Sequence, residues 1–132
     1  MRRGADASPL RSALGRYARM VAVIAVTAGA FGARAEQLTF VLRIANNRVP
    51  ADVRLIRVKQ GDVVTLRWSA DRRTILHLHG YDIEKTVEPG AVTELTFTAR
   101  ATGRFPIAPH IPDAAGGRSH GDALVTIEVY PR

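Results

Sequence analysis

Short runs of alternating apolar and polar residues fill the sequence from residue 37 onward. Each run places its apolar side chains at every second position, and Gly, Pro, Asn or Asp residues separate the runs. Because successive side chains of a β-strand point to opposite faces, this pattern predicts strands with one buried face. The runs cover residues 37–44, 53–59, 63–69, 74–82, 83–87, 92–98, 103–107 and 124–130. Pro106 is expected to interrupt the run at 103–107.

Seven or eight strands at this spacing predict an all-β fold, a two-sheet Greek-key β-sandwich. No run has the period of an amphipathic helix of useful length. The residues expected between the sheets share the inward positions of their runs. They are Leu66, Trp68, Leu76, Leu78, Leu95, Phe97, Val125 and Ile127.

Two of the four histidines lie in the stretch 74–82. In an extended chain His77 and His79 share one face, and the leucines between and before them share the other. The leucines can therefore enter a core while both imidazoles remain accessible. Gly80 follows at once and allows a kink or a close backbone approach at the strand end. The pattern predicts one half of a metal site.

The segment 108–122 holds the other two histidines, His110 and His120. It is rich in Pro and Gly, and the pattern predicts a long loop without secondary structure of its own. Such loops often carry function, so the second half of the site is expected here.

Residues 1–35 have the organisation of an export leader. Five arginines precede a short run of apolar and small residues at 20–31, and Ala33-Arg34-Ala35 provides an A-x-A cleavage signal before Glu36. We therefore predict a signal peptide at 1–35, a single domain at 36–132 and a periplasmic or secreted protein. The apolar run is shorter than the roughly 20 residues that a span needs, so no membrane span is expected in the mature chain.

Most of the positive charge belongs to this leader. The whole chain carries +7, but 1–35 contains six of the nineteen basic residues and one of the twelve acidic ones. The remaining thirteen basic and eleven acidic residues give a net charge of only +2. No basic stripe interleaved with aromatic residues is present, so nucleic acid is not an expected partner.

Sulfur is absent from the predicted mature chain. The sequence has no cysteine, and both methionines, Met1 and Met20, lie in the leader. The domain must therefore be stabilised by its core rather than by disulfides, and a metal would find no thiolate or thioether ligand.

The order of several short motifs resembles that of the cupredoxins. The motifs are Val58-Lys59-Gln60-Gly61-Asp62-Val63-Val64, His79-Gly80-Tyr81, Pro89-Gly90 before Thr96-Phe97-Thr98, Gly103-Arg104-Phe105 leading to Pro109-His110, and the final strand 125–129. The resemblance spans nearly all of the mature chain and implies the cupredoxin fold. A second likeness, of His77-Leu78-His79-Gly80 to the His-x-His-Gly strands of multicopper oxidases, concerns strand design only.

The same resemblance implies a ligand pair but not a blue-copper site. In that family one histidine comes from the middle strand, and a cysteine, a second histidine and usually a methionine come from the final loop. His79 matches the first histidine and His110 the second. Ile107-Ala108-Pro109-His110 stands where the cysteine would be, and His120 lies roughly where the methionine would be.

Four imidazoles without sulfur predict a nitrogen-ligated metal, with copper as the expected cofactor. His77, His79, His110 and His120 are the candidate ligands, with water and a nearby carboxylate as candidate further ligands, and Cu(II) is the ion they suit best. The candidate carboxylates are Asp82, Asp113 and Asp122. Tyr81 and Asp82 are also candidates for orienting an imidazole. The alternative is that all four histidines are ordinary surface residues.

Two functions follow from these observations. The first is an exported copper-binding protein that holds Cu(II) for storage, transport or delivery. The second is a metal-free cupredoxin-like module that binds another envelope protein. An enzyme is not expected, because Ser119, His120 and Asp122 are loop neighbours that rarely form triad geometry, and no nucleophile elbow is present.

Overall fold

The computed structural model describes residues 32, 34–112 and 115–132. The predicted signal peptide, apart from Gly32, Arg34 and Ala35, lies outside these residues, as does Asp113. Among the described residues, no helix has the length and apolar character needed to cross a bilayer. The strands in this part of the chain are β1 Gln37–Ile44, β2 Leu55–Lys59, β3 Val63–Ala70, β4 Thr74–Leu78, β5 Ile83–Val87, β6 Thr93–Thr98, β7 Gly103–Pro112, β8 Arg118–His120 and β9 Val125–Tyr130.

The strands form two mixed sheets. The first has the order β1-β3-β6, with β1 parallel and β6 antiparallel to β3. The second has the order β2-β9-β7-β4-β5, and β8 pairs with β7 beside it. In the second sheet β2 runs parallel to β9, and the other pairs are antiparallel. The predicted all-β sandwich is confirmed, and its sheets are mixed.

The period-two pattern correctly identifies the core. All eight residues predicted to lie between the sheets are buried, from Trp68 at 0% exposure to Phe97 at 5%. The alternation is clearest in β3, where Val64, Leu66 and Trp68 are buried and Arg67 is exposed. Each large apolar side chain that is buried contributes about 2 kcal/mol. These contributions stabilise the sandwich without disulfides.

The structure corrects two predicted boundaries. The strand expected at 53–59 begins at Leu55, because residues Ala51–Val53 form a short 3-10 turn. Pro106 does not interrupt β7, although it lacks an N–H. It remains opposite Thr126 in the ladder, and its carbonyl accepts a 3.0 Å hydrogen bond from the N–H of His79.

The predicted long loop at 108–122 is wrong. β7 continues through Pro109 and His110 to Pro112, and β8 then returns antiparallel to it. Prolines favour loops because each removes one ladder donor, but the remaining groups of this segment still pair. Residues 108–112 and 118–120 therefore belong to paired antiparallel strands, which hold His110 and His120 in register.

Candidate metal centre

Strand register alone places all four histidines on one face of the second sheet. Residues directly opposite each other in an antiparallel pair share a face, as do residues two apart in one strand. His77 in β4 is opposite Ala108 in β7, two residues before His110. His110 is in turn opposite His120 in β8. His79 follows His77 by two residues, so the four side chains converge.

The four rings form one cluster. The centroid of His77 lies 4.4 Å from that of His79, 5.1 Å from that of His120 and 5.4 Å from that of His110. The ring of His120 is also 4.4 Å from His79 and 4.6 Å from His110. The structure thus brings the four rings together, and the nitrogens that converge belong to His77, His79 and His120.

Three of these rings already direct nitrogen atoms toward one another. One ring nitrogen from each of His77, His79 and His120 lies within 4.8 Å of the others. The closest pair is His77 Nδ1 and His120 Nε2, at 3.0 Å. Two imidazole nitrogens that share an ion at about 2.0–2.1 Å would lie about 3 Å apart, so the donor set fits a metal.

Carboxylates contact the outer nitrogens of the cluster. His77 Nε2 lies 3.3 Å from Asp82 Oδ1, on the side of the ring away from His120. Asp82 is the last residue of the turn between β4 and β5 and has a left-handed φ of 54°. Such a carboxylate fixes the tautomer and orientation of a ligating imidazole and raises its basicity. The Asp82 side chain is fully exposed, so its orienting role stays a prediction.

Glu84 is a second carboxylate at the site, and the sequence reasoning missed it. It lies opposite His77 in the pairing of β4 with β5, and its Oε2 is 3.5 Å from His110 Nδ1. Nothing in the motif pattern marks Glu84, because its position depends on which strand pairs with β4. The only available signal was its spacing of two residues from Asp82.

The imidazole of His110 is largely enclosed. Its side chain is 11% exposed, and neither ring nitrogen has a hydrogen-bond partner. The 3.5 Å approach of Glu84 is too long to replace a good hydrogen bond. A buried polar atom without a partner is costly, so its presence here suits a group that receives an ion.

The cluster disfavours protonation of its outermost ring. The pKa of His120 is lowered, first because its surroundings displace water and then because charge on His79, His110 and His77 would repel a proton. A neutral imidazole is the form that binds a metal, so this arrangement favours the ligating state.

Ala108 lies beneath the rings. It is opposite His77 in the ladder and only 4% exposed. A methyl side chain leaves space for four rings above it.

The other candidate residues from the sequence, Tyr81 and Asp122, have different surroundings. Tyr81 packs against Phe97 and Phe105 instead of an imidazole, and Asp122 is exposed and lines a cavity beside His110.

The domain resembles copper proteins in its architecture. No protein-family model matches the chain, and no curated protein matches it. Among solved structures, a multicopper oxidase from Pseudomonas thermotolerans is similar with a TM-score of 0.56 and 23% identity, over 75% of this chain and 31% of the oxidase chain. The domain has a cupredoxin-like fold.

Two further structures share this cupredoxin-like fold. One is a chain of a heme-copper terminal oxidase dimer, at a TM-score of 0.50 and 18% identity over 70% of this chain. The other belongs to a mixed disulfide between a thioredoxin-like protein and subunit II of cytochrome c oxidase, at 0.52 and 17% over 71%. The chain spans 64% of the first and 82% of the second. Identities this low show a common fold, and function must be argued from the site.

Proposed function

We propose that this protein is exported and that its cupredoxin-like domain holds Cu(II) through His77, His79, His110 and His120, for storage, transport or delivery. The observation that carries the proposal is the convergence of ring nitrogens from His77, His79 and His120 within 4.8 Å. The predicted leader at 1–35 supplies the route to the periplasm or the exterior.

The donor set favours copper over other divalent ions. Imidazole binds Zn(II), Ni(II) and Cu(II), and the Irving–Williams order places Cu(II) highest. The sequence from residue 36 contains no sulfur, so a thiolate-to-copper charge-transfer band cannot arise. We expect pale Cu(II) protein with the electron paramagnetic resonance spectrum of a tetragonal nitrogen-ligated centre.

Binding and release fit this site better than electron transfer or catalysis. The sequence from residue 36 offers no thiolate or thioether, the ligands that select Cu(I), so the donor set favours Cu(II). A cavity of about 640 Å³ opens beside His110 and gives access from solvent. We propose that another envelope protein supplies or receives the ion there.

The test is calorimetric titration of the protein with Cu(II), using single alanine variants of the four histidines. Loss of His77, His79 or His120 should weaken binding by more than the roughly 10–100-fold typical of an outer-sphere partner. Ser119→Ala is the matched control, because Ser119 neighbours His120 in β8 while its hydroxyl donates to the Ile111 carbonyl.

The titration separates the two functions. Equally weak binding by the wild type and all variants would remove the metal site and leave the metal-free interaction module. Loss of binding only in His77→Ala would place the ion on the outer face of one strand, without His110.

A further inference from the structure

The buried carboxylate of Asp62 binds the backbone N–H of Glu36, the first residue of the predicted domain. It is 2% exposed and lies in the turn between β2 and β3. Its Oδ1 accepts a 3.0 Å hydrogen bond from the N–H of Glu36, and its Oδ2 accepts a 2.9 Å bond from the N–H of Lys59. The guanidinium of Arg132 also donates to Oδ1.

Both backbone polar groups of Glu36 are hydrogen-bonded. Its N–H donates to Asp62, and its carbonyl accepts a 2.8 Å bond from the N–H of Val63. The residue before it, Ala35, ends the A-x-A sequence that predicts cleavage. The nitrogen that such cleavage would free is therefore the one already directed at a buried carboxylate.

We propose that hydrolysis between Ala35 and Glu36 creates an α-ammonium group that Asp62 binds as an ion pair. An endopeptidase of the export route breaks the Ala35–Glu36 C–N bond with one water molecule. Ala35 leaves with a carboxylate, and the Glu36 nitrogen becomes an amine that is protonated to –NH₃⁺. This inference rests on the proposed leader and is independent of copper.

The physical basis is a change from a neutral donor to a charged one. An amide N–H gives Asp62 one ordinary hydrogen bond, whereas an ammonium adds charge and further donors. Processing also removes the Arg34 carbonyl that accepts a bond from Arg132, so Arg132 keeps its bonds to Asp62 and to the Gln60 carbonyl. The gain should appear as a raised α-ammonium pKa.

Several other charged or polar groups lie near Asp62 and Glu36. Lys59 and Arg57 of β2, Tyr130 of β9 and Arg132 line this region together with Asp62 and the Glu36 side chain. The three cations oppose protonation of the amine, and the two carboxylates favour it. Asp62 is the one carboxylate that is buried and within hydrogen-bond distance of the backbone nitrogen.

The experiment uses the exported protein isolated from cells. Mass spectrometry should show Glu36 as its first residue. The rate of α-amine acylation is then measured against pH, with Lys85 in the same molecule as a reference for the reagent. An ordinary α-amine titrates near 7.7–8.0, and the bound amine should titrate about one unit higher. Acylation at pH 7 should be about tenfold slower.

A matched pair of variants assigns the effect. Asp62→Asn should return the α-amine to its ordinary titration. Asp71→Asn should not, because Asp71 also accepts a turn N–H, that of Asn46 at 2.9 Å, but lies elsewhere. A first residue other than Glu36 would overturn the proposal. So would ordinary titration in the wild type, a measurement that stands even if Asp62→Asn does not fold. A copper titration that fails leaves this inference untouched.

Discussion

His110 combines a cost to stability with a proposed role in binding. Both of its ring nitrogens are enclosed and lack hydrogen-bond partners. We expect His110→Leu to raise the free energy of unfolding of the metal-free protein by about 1 kcal/mol, because an unsatisfied polar group is replaced by an apolar one. The same change should weaken Cu(II) binding at least tenfold. Denaturant unfolding with a chelator and calorimetry measure the two effects.

Tyr81 provides the control for His110. Its hydroxyl is also enclosed without a partner, but the ring packs against Phe97 and Phe105 rather than the histidines. Tyr81→Phe should raise stability to a similar extent and leave Cu(II) affinity unchanged. Lower stability in His110→Leu would mean that this imidazole is structural.

Trp68 tests the core at the scale of one side chain. It is completely buried, and its Nε1 has no hydrogen-bond partner. Trp68→Ala should cost about 3–5 kcal/mol of unfolding free energy through lost burial and a cavity. Trp68→Phe should cost clearly less, because a phenyl ring fills much of the space that Ala would leave empty and neither variant loses a hydrogen bond of Nε1. Equal losses in urea denaturation would contradict this account.

The turn between β4 and β5 fixes His79, and Gly80 is the element's critical residue. Gly80 has a φ of +85°, and a Cβ there would lie 2.6 Å from Cδ1 of Phe105. Gly80→Ala should cost about 2–4 kcal/mol, from the left-handed backbone and from the clash. It should also weaken Cu(II) binding by moving His79.

Gly90 separates those two causes. It has a similar φ of +80°, but a Cβ there would meet nothing within 4 Å. Gly90→Ala should therefore show the backbone penalty alone, about 1–2 kcal/mol, with normal Cu(II) affinity. If the two variants lose equal stability in thermal unfolding, Phe105 has room to move.

The elements show where sequence reasoning succeeds and where it stops. Alternation in β3 and β4 fixes which side chains are buried, because a one-residue shift would expose every apolar group. The β7–β8 hairpin was missed because Pro106, Pro109 and Pro112 are typical of loops, and strand pairing outweighed that preference. Local propensity carries no information about which distant strand supplies the partner.

The candidate site likewise contains residues that the sequence predicts and residues that only the strand pairing reveals. The four histidines follow from alternation and motif order, and the structure brings their rings together. Glu84 and Ala108 do not follow, because each acquires its place from the strand opposite His77. Metal binding itself stays a prediction.

At the scale of the whole molecule, pH should change both stability and metal affinity. The folded-state pKa of His120 is lowered by loss of water and by the other imidazoles, so the unfolded chain binds this proton more tightly. The contribution of His120 is therefore intact above about pH 6.5 and is lost as pH falls below that value. Cu(II) competes with the same protons, and its affinity should fall below about pH 6.

Unfolding between pH 7 and pH 5, with and without Cu(II), measures both effects. The increment from Cu(II) should shrink with falling pH as binding weakens. The titration of Asp62 changes the free energy of unfolding at lower pH. Burial raises its pKa, but bonds from Glu36 and Lys59 and the charge of Arg132 outweigh this, so the pKa lies below its usual range. Its contribution is present above about pH 4 and is lost in stronger acid. A copper increment that is constant from pH 7 to pH 5 would exclude the imidazoles as ligands.

The position of β9 determines when the domain can fold. β9 lies between β2 and β7, so Leu55–Lys59 has no partner in its sheet until Val125–Tyr130 is available. Pairings this distant in sequence form slowly, since a long loop must close first. A ribosome-bound chain lacking β9 cannot complete the second sheet. If the chain is exported as proposed, this topology would keep the nascent polypeptide unfolded while it is threaded through a secretion channel.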